Sequence, residues 1–491
     1  MKAVLIATIG TRDLMFQISS GTWYNIGDDR MQNGEIIGEQ AEVISDLGLY
    51  NINFRDLTKY LLDKITIYLD QFKPVIIGKL LNEKAANIEK VYLIATDQKL
   101  EVREREKDTL YAAELIKTWI VNQFDHISVE IILLGQDGTN PSNFEQMFFW
   151  WRQTWREKIT IEAEQAIWLC LKGGVGQASE ASRISGLSLY GDRIQFFEFK
   201  QNTKANQAGI PSDYSGPFLG NNYLWDRTQQ QALKLLARYD YAEVYDLLEP
   251  YFQQSPSNFG AIPNLLKAGM AWNQEQFKTF ISLAKSCMKI PELKGIFWWM
   301  AYEQAYLGVV RFQQQNTVEA ILHSHRAIEG VLSLWAVNSF PNHVIENANK
   351  YPSLKNSILQ KHPSLKPRFI NTQGLLLSEI PLNGWVLQTL LNSAIQKTLT
   401  SRDFQIFWSS AREMRNNLSH RLGGLTEKEL FAAWGEDVTN PEQWQARVLN
   451  CLNLVTGQSF KTLAEASIFN KLHDKVVQAI AQQELNSTAM R

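Results

Sequence analysis

The hydrophobic pattern of the chain changes character once, near residue 200. Before that point, short apolar runs rich in β-branched and aromatic residues recur between turn residues: "KAVLIAT", "KVYLIAT", "SVEIILL", "AIWLCLK" and "RIQFFEF". Between them lie stretches of helical period such as "RDLTKYLLDKITIYLDQF" and "DTLYAAELIKTWIVNQF". Strand alternating with helix predicts a mostly parallel sheet with helices on both faces. From "DRTQQQALKLLARYDYAEVYDLLEPYF" onward the period is helical, with no convincing strands. The expected architecture is an α/β Rossmann-like N-terminal domain followed by an all-α C-terminal half. The polar, Gly/Pro-bearing stretch of about 200–222 reads as a linker, and "QQQNT" near 315 as a further break. The expected domains are therefore 1–205, 223–314 and 315–491.

Composition adds bounds rather than a function. A length of 491 residues is too great for one core. Three scattered cysteines with no CxxC point to neither a disulfide framework nor a zinc site. The absence of a long apolar run leads us to expect a soluble, cytoplasmic protein that does not engage a membrane. A net charge of −2 and the lack of a recognisable helix-turn-helix speak against a DNA-binding regulator. The Trp-rich runs "FFWWRQTW" and "IFWWM" are expected in core or dimer packing rather than as base-stacking platforms.

In open parallel sheets, ligands sit at the carboxyl ends of the strands, so the residues following each strand are informative. They are "IGTRD" with Gly10, Thr11, Arg12 and Asp13, "TDQ" with Thr96, Asp97 and Gln98, and "KGGVGQ" with Lys172, Gly173, Gly174, Val175, Gly176 and Gln177. Glycines allow close backbone approach, and helix N-termini offer free N–H groups to an anion. Together the three turns describe a cleft for a phosphate-bearing ligand, although tight strand-to-helix turns need Gly and polar residues in any case. "GVGQAS" is a near match to GxGxxG with Ser179 in place of the third glycine, which leaves a dinucleotide-dependent enzyme as a weaker alternative.

The second candidate is "SRDFQIFWSSAREMRNNLSHRLGG", expected to be one helix from 402 to about 421, capped by Ser401. Arg412, Asn416 and His420 fall on one stripe, and Arg415 reaches it. An imidazole, a guanidinium fork and an orienting amide are the groups that metal-free RNA cleavage needs. The ribose 2′-OH is the nucleophile, histidine moves protons, and arginine stabilises charge on the phosphate oxygens. DNA cannot follow this route. Arg415, Asn416 and His420 are thus the candidate catalytic residues, with no metal, although such residues on a helix face are commonly mere solvated surface. One helix supplies one histidine where an acid and a base are needed, so a composite site across a homodimer is expected. His323 and His325 point about 200° apart on a helix and so cannot share an ion. Arg326 and Glu329, three apart on the same helix, could support the catalytic stripe from behind, but a plain intrahelical ion pair is the expectation.

With "ATIGTRD", "ATDQ", "KGGVGQ", a helical second half and "RNNLSH" in this order, the chain resembles the CARF–HEPN ribonucleases of type III CRISPR systems. The resemblance covers nearly the whole chain. It implies a CARF sensor that binds cyclic oligoadenylate across the dimer of N-terminal domains, through the three turns named above, and a C-terminal HEPN domain whose motif maps onto Arg415, Asn416 and His420. It further implies a homodimer that needs no cofactor beyond its activator and acts in antiviral defence. The implied reaction cuts single-stranded RNA to 2′,3′-cyclic phosphate ends. Many members carry a Thr-Gly-Gly-Thr turn where Lys172-Gly173-Gly174-Val175 stands here, so opening of the activator ring by this domain stays undecided, with Thr11 as a remaining hydroxyl. A non-catalytic nucleotide-sensing dimer, acting as a regulator or scaffold, is the alternative.

Overall fold

Short apolar runs rich in β formers read as strands, and all five such runs form strands in the computed structural model of the chain, which describes residues 2–28, 31–32, 35–36, 38–346 and 352–485. The chain divides into two units, 1–226 and 227–484. In the first, β1 (Ala3–Thr8), β2 (Ile88–Thr96), β3 (Ser128–Leu134), β4 (Ala166–Cys170), β5 (Ile194–Lys200) and β6 (Asp213–Leu219) form one sheet in the order β6-β5-β4-β1-β2-β3. All neighbours are parallel except β5 and β6.

Alternation along β1 supplies two cores. Ala3, Leu5 and Ala7 pack with helices α1 (Phe54–Asp63) and α2 (Leu110–Gln123) through Leu57, Leu61, Leu115 and Ile116. Val4 and Ile6 face α3 (Phe144–Glu157) and α4 (Gly176–Tyr190) through Met147, Trp151, Trp155 and Ala181. The Trp-rich run is therefore core. Its buried indoles are satisfied, Trp151 Nε1 by the Ala178 carbonyl at 2.9 Å and Trp155 Nε1 by Ser185 Oγ at 3.0 Å, as buried N–H groups require.

The sheet grows from β1 through β2 to β3 on one side and through β4 to β5 on the other. The reversal of direction lies between β1 and β4, and a crevice opens at the strand ends of such a switch point. The segment expected as a linker is instead folded, because it carries the end of β5, a short helix Thr203–Gln207 and the edge strand β6. A small sheet of Leu14–Gln17, Trp23–Asn25 and Phe72–Pro74 lies outside the main one.

The second unit is predominantly helical. Helices α5 (Trp299–Gln313) and α6 (Thr317–Ser339) are joined by a three-residue turn at 314–316 and pack on each other. The buried Glu303 of α5 accepts from Trp272 Nε1 and Ser467 Oγ, both at 2.8 Å, and from the Ile468 N–H at 2.6 Å, tying α5 to the start of a helix at Ile468–Ala481. The unit also holds a sheet of three very short strands, Val344–Ile345, Ser353–Lys355 and Glu379–Pro381, where none was expected. Helix α7 (Gly384–Ala394), N-capped by the Asn383 side chain, follows.

The helix carrying "RNNLSH" departs from its expected course in two ways. Ser401 caps it as anticipated, accepting from the Phe404 N–H. After α8 (Arg402–Ile406), however, a π-helical turn at Phe407–Ala411 intervenes before α9 (Arg412–Leu418). Such turns insert one residue and often mark functional sites. The helix then ends at Leu418, so His420 lies in the following turn rather than on the helical stripe. Among the described residues, no helix is long and apolar enough to cross a membrane.

Candidate functional site

At the switch point the first and fourth turns interlock through the backbone. Thr8 Oγ donates to the Gly173 carbonyl at 2.6 Å, and the Gly10 N–H donates to Asp13 Oδ2 at 2.7 Å. A Cβ on Gly173 would lie 2.0 Å from Asp13 Oδ2 and 2.4 Å from the Thr8 carbonyl, and one on Gly10 would lie 2.6 Å from the Gly174 nitrogen. Only glycine fits at this approach, which is the physical content of "KGG". Burial pushes the Asp13 carboxyl up to about 7, against the Gly10 N–H and the charge of Lys172, which both lower it. A carboxyl that is about half neutral at pH 7 lessens the negative charge on the floor of the crevice.

The crevice is a cleft of about 980 Å³, at the upper end of the usual size for ligand pockets. Of the residues expected there, Gly10, Thr11, Arg12, Asp13, Thr96, Gln98, Lys172, Gly173, Gly174 and Val175 line it. Gly176 and Gln177 open α4 at the exposed surface but do not line the cleft. Asp97 does not line it either. It braces the second turn from behind, paired with Arg55 at 2.7 Å and Arg105 at 3.5 Å and accepting from Gln136 Nε2 at 2.9 Å. Burial would raise its pKa, but these partners outweigh it and hold the carboxyl below the usual range. Arg55 also grips buried Asp108 at 3.1 Å, and the Gln98 side chain donates to Asp108 Oδ1 at 3.0 Å. Thr96 and Thr109 exchange backbone N–H to hydroxyl bonds at 3.0 and 3.1 Å.

Sequence reasoning missed one wall. Gly135, Gly138, Thr139, Asn140 and Ser142 follow β3, and Gln201 follows β5. The rule used for the other strands applies equally to "LLGQDGTN" and would have found it.

In the helical unit, Asn416 and His420 are exposed and Arg415 is half-buried. Arg415 Nη2 donates to Glu329 Oε2 on α6 at 3.2 Å, across 86 residues of sequence. Glu329 is thus not the intrahelical partner of Arg326, which turns to Glu275 at 2.8 Å instead. Beneath the pair, the buried His325 ring lies against Phe407 of the π turn, centroids 4.7 Å apart, with Nδ1 3.5 Å from Glu329 Oε2. Both its nitrogens lack a hydrogen-bond partner, and burial drives its pKa down, toward the neutral form, although Glu329 opposes this. His323 turns elsewhere, to Gln304 and Glu275, so the two imidazoles have different surroundings. Arg412 lies over the half-exposed Trp385 ring at 4.2 Å, with Arg368 at 5.6 Å from the same ring. Among the described residues, no three His, Cys, Asp or Glu side chains gather as a metal site would need.

No family model and no curated protein matches the sequence. Among solved structures, the chain is similar to Csm6 of Enterococcus italicus bound to cyclic hexa-2′-fluoro-hexa-dAMP. The TM-score is 0.60 at 13% identity, over 98% of this chain and 100% of that one. At that identity the likeness is one of fold, and it spans both the α/β unit and the helical unit. In fold, then, the chain resembles the CARF–HEPN ribonucleases of type III CRISPR systems, as its motifs implied.

Proposed function

We propose that this chain is an endoribonuclease of HEPN type, switched on by cyclic oligoadenylate, that cuts single-stranded RNA without a metal ion in type III CRISPR defence. The activator binds the cleft between β1 and β4. Its phosphates meet backbone N–H groups at the glycine turns, the Lys172 ammonium and Arg12. Cutting takes place at Arg415, Asn416 and His420. The 2′-OH attacks the adjacent phosphorus, an imidazole takes its proton, and the leaving 5′-oxygen receives one from a second donor. The Arg415 guanidinium neutralises charge gathering on the non-bridging oxygens, and Asn416 orients its neighbours. A homodimer presenting two copies of the motif supplies both proton-transfer groups.

The observation that carries this reading is the pairing, in one chain with the Csm6 fold, of a glycine-built anion cleft with an Arg-Asn-His group that reaches solvent. The test is incubation of labelled single-stranded RNA in EDTA, with and without cyclic tetra- and hexa-adenylate. Cleavage that requires the ring and is lost in His420→Ala is the expected outcome. Ring binding without cleavage would instead make the chain a sensor that serves as a scaffold, and no ring binding would remove both readings.

A further inference from the structure

The carboxylate of Glu329 stands where three elements meet. Its Oε2 accepts a hydrogen bond from Nη2 of Arg415 on α9. Its Oε1 lies at the first residue of α7, where a Cβ added to Gly384 would come within 3.1 Å of it. On its own helix, one turn earlier, is the buried His325 ring that packs on the π turn. Burial would raise the Glu329 pKa, but His325, Arg415 and Arg412 hold it below the usual range, so the group is ionised.

The contact with Arg415 is single. A guanidinium carries five N–H donors in a rigid plane, and Glu329 engages one nitrogen, leaving the rest of the fork for a phosphate. Without an anchor, a long, half-exposed arginine samples many rotamers, and transition-state stabilisation depends on a donor already in place. A half-exposed ion pair contributes little to folding, so stability alone gives a weak reason for a carboxylate here.

We propose that Glu329 is a positioning residue of the ribonuclease site, holding the Arg415 guanidinium plane toward the scissile phosphate. The inference rests on the ribonuclease reading above. Glu329 touches no reacting atom. It acts through Arg415.

The experiment is steady-state cleavage of RNA by the full chain in EDTA at saturating activator, for the native protein, Glu329→Ala and Glu329→Gln. Glu329→Ala is expected to lower kcat about tenfold to hundredfold with KM nearly unchanged. Glu329→Gln, which keeps an oxygen acceptor for Nη2, is expected to recover most of the loss. Activator binding and melting temperature serve as folding controls and are expected to stay at native values. Native kcat in Glu329→Ala overturns the proposal. So does a gain of activity without activator, which would make the carboxylate a restraint, and so does a loss that follows the melting temperature or is not recovered by Gln. A native chain that binds its activator yet cuts no RNA refutes the ribonuclease reading itself, a result distinct from these.

Discussion

The two sites are built in opposite ways. In the α/β unit, the cleft is made largely by backbone: two turns joined by the buried bond from Thr8 Oγ to the Gly173 carbonyl, glycines where no side chain fits, and a buried carboxyl beneath them. In the helical unit, the Arg-Asn-His group sits on the last turn of a helix and the turn beyond it, exposed or half-exposed, anchored through one ion pair. The first should be sensitive to packing above all. The second should be sensitive to the identity of single side chains and indifferent to packing. The helical site offers one solvent-reaching histidine where the proposed chemistry asks for two proton-transfer groups.

The largest expected effect tests the chemical side of that contrast. His420→Ala and Arg415→Ala should each lower activator-dependent cleavage by about 10²–10⁴-fold, with melting temperature and activator binding unchanged because both groups reach solvent. Initial rates and thermal melts on the same samples check this. A fall in melting temperature would mean that these residues belong to the fold.

Next comes the buried carboxyl. The pKa of Asp13 is raised in the folded state, to about 7 from 3.8, so the native chain holds this proton more tightly than the unfolded chain does. Its contribution to stability is therefore greatest at low pH and is lost progressively from about pH 4 to pH 7. Three pKa units correspond to about 4 kcal/mol. Asp13→Asn removes this slope. The stability difference between variant and native protein should grow in favour of the variant from pH 4.5 to 7.5, and native affinity for cyclic oligoadenylate should rise on acidification through pH 7 while that of the variant stays flat.

Gly173→Ala probes the packing side. The new methyl group collides with Asp13 and with the Thr8 carbonyl, so the two turns must separate. The expected loss is about 1–3 kcal/mol of stability in the α/β unit, together with weakened activator binding, read by thermal unfolding and calorimetry. The smallest effect is expected at Trp385→Ala, which removes the surface under Arg412. A cation–π contact this exposed contributes about 0.5–1 kcal/mol, visible as a slight fall in melting temperature.

What was legible in the sequence follows the same division. β1, β2 and β4 were readable because a buried parallel strand is apolar over most of its length, and β3 and β5 because their apolar residues are rich in β formers and bounded by turn residues. β6, "DYSGPFL", was not readable, since an edge strand with one exposed face and a Gly-Pro step looks like a loop. The strands of two and three residues in the helical unit are too short to leave a period. The π turn at Phe407–Ala411 escaped because one inserted residue barely disturbs an amphipathic pattern. Glu329 was assigned to Arg326, three residues away, because local spacing favours such pairs. Its actual partner comes from another helix, and that choice is made by tertiary packing alone.

The central claim is that ribose itself supplies the nucleophile. Its most direct test pairs an RNA strand with the same strand bearing 2′-deoxyribose throughout, both exposed to the activated chain in EDTA, with analysis of the product ends. The account predicts RNA fragments ending in 2′,3′-cyclic phosphate and an intact deoxy strand. Cleavage of the deoxy strand, or RNA products ending in a free 3′-hydroxyl, would contradict it.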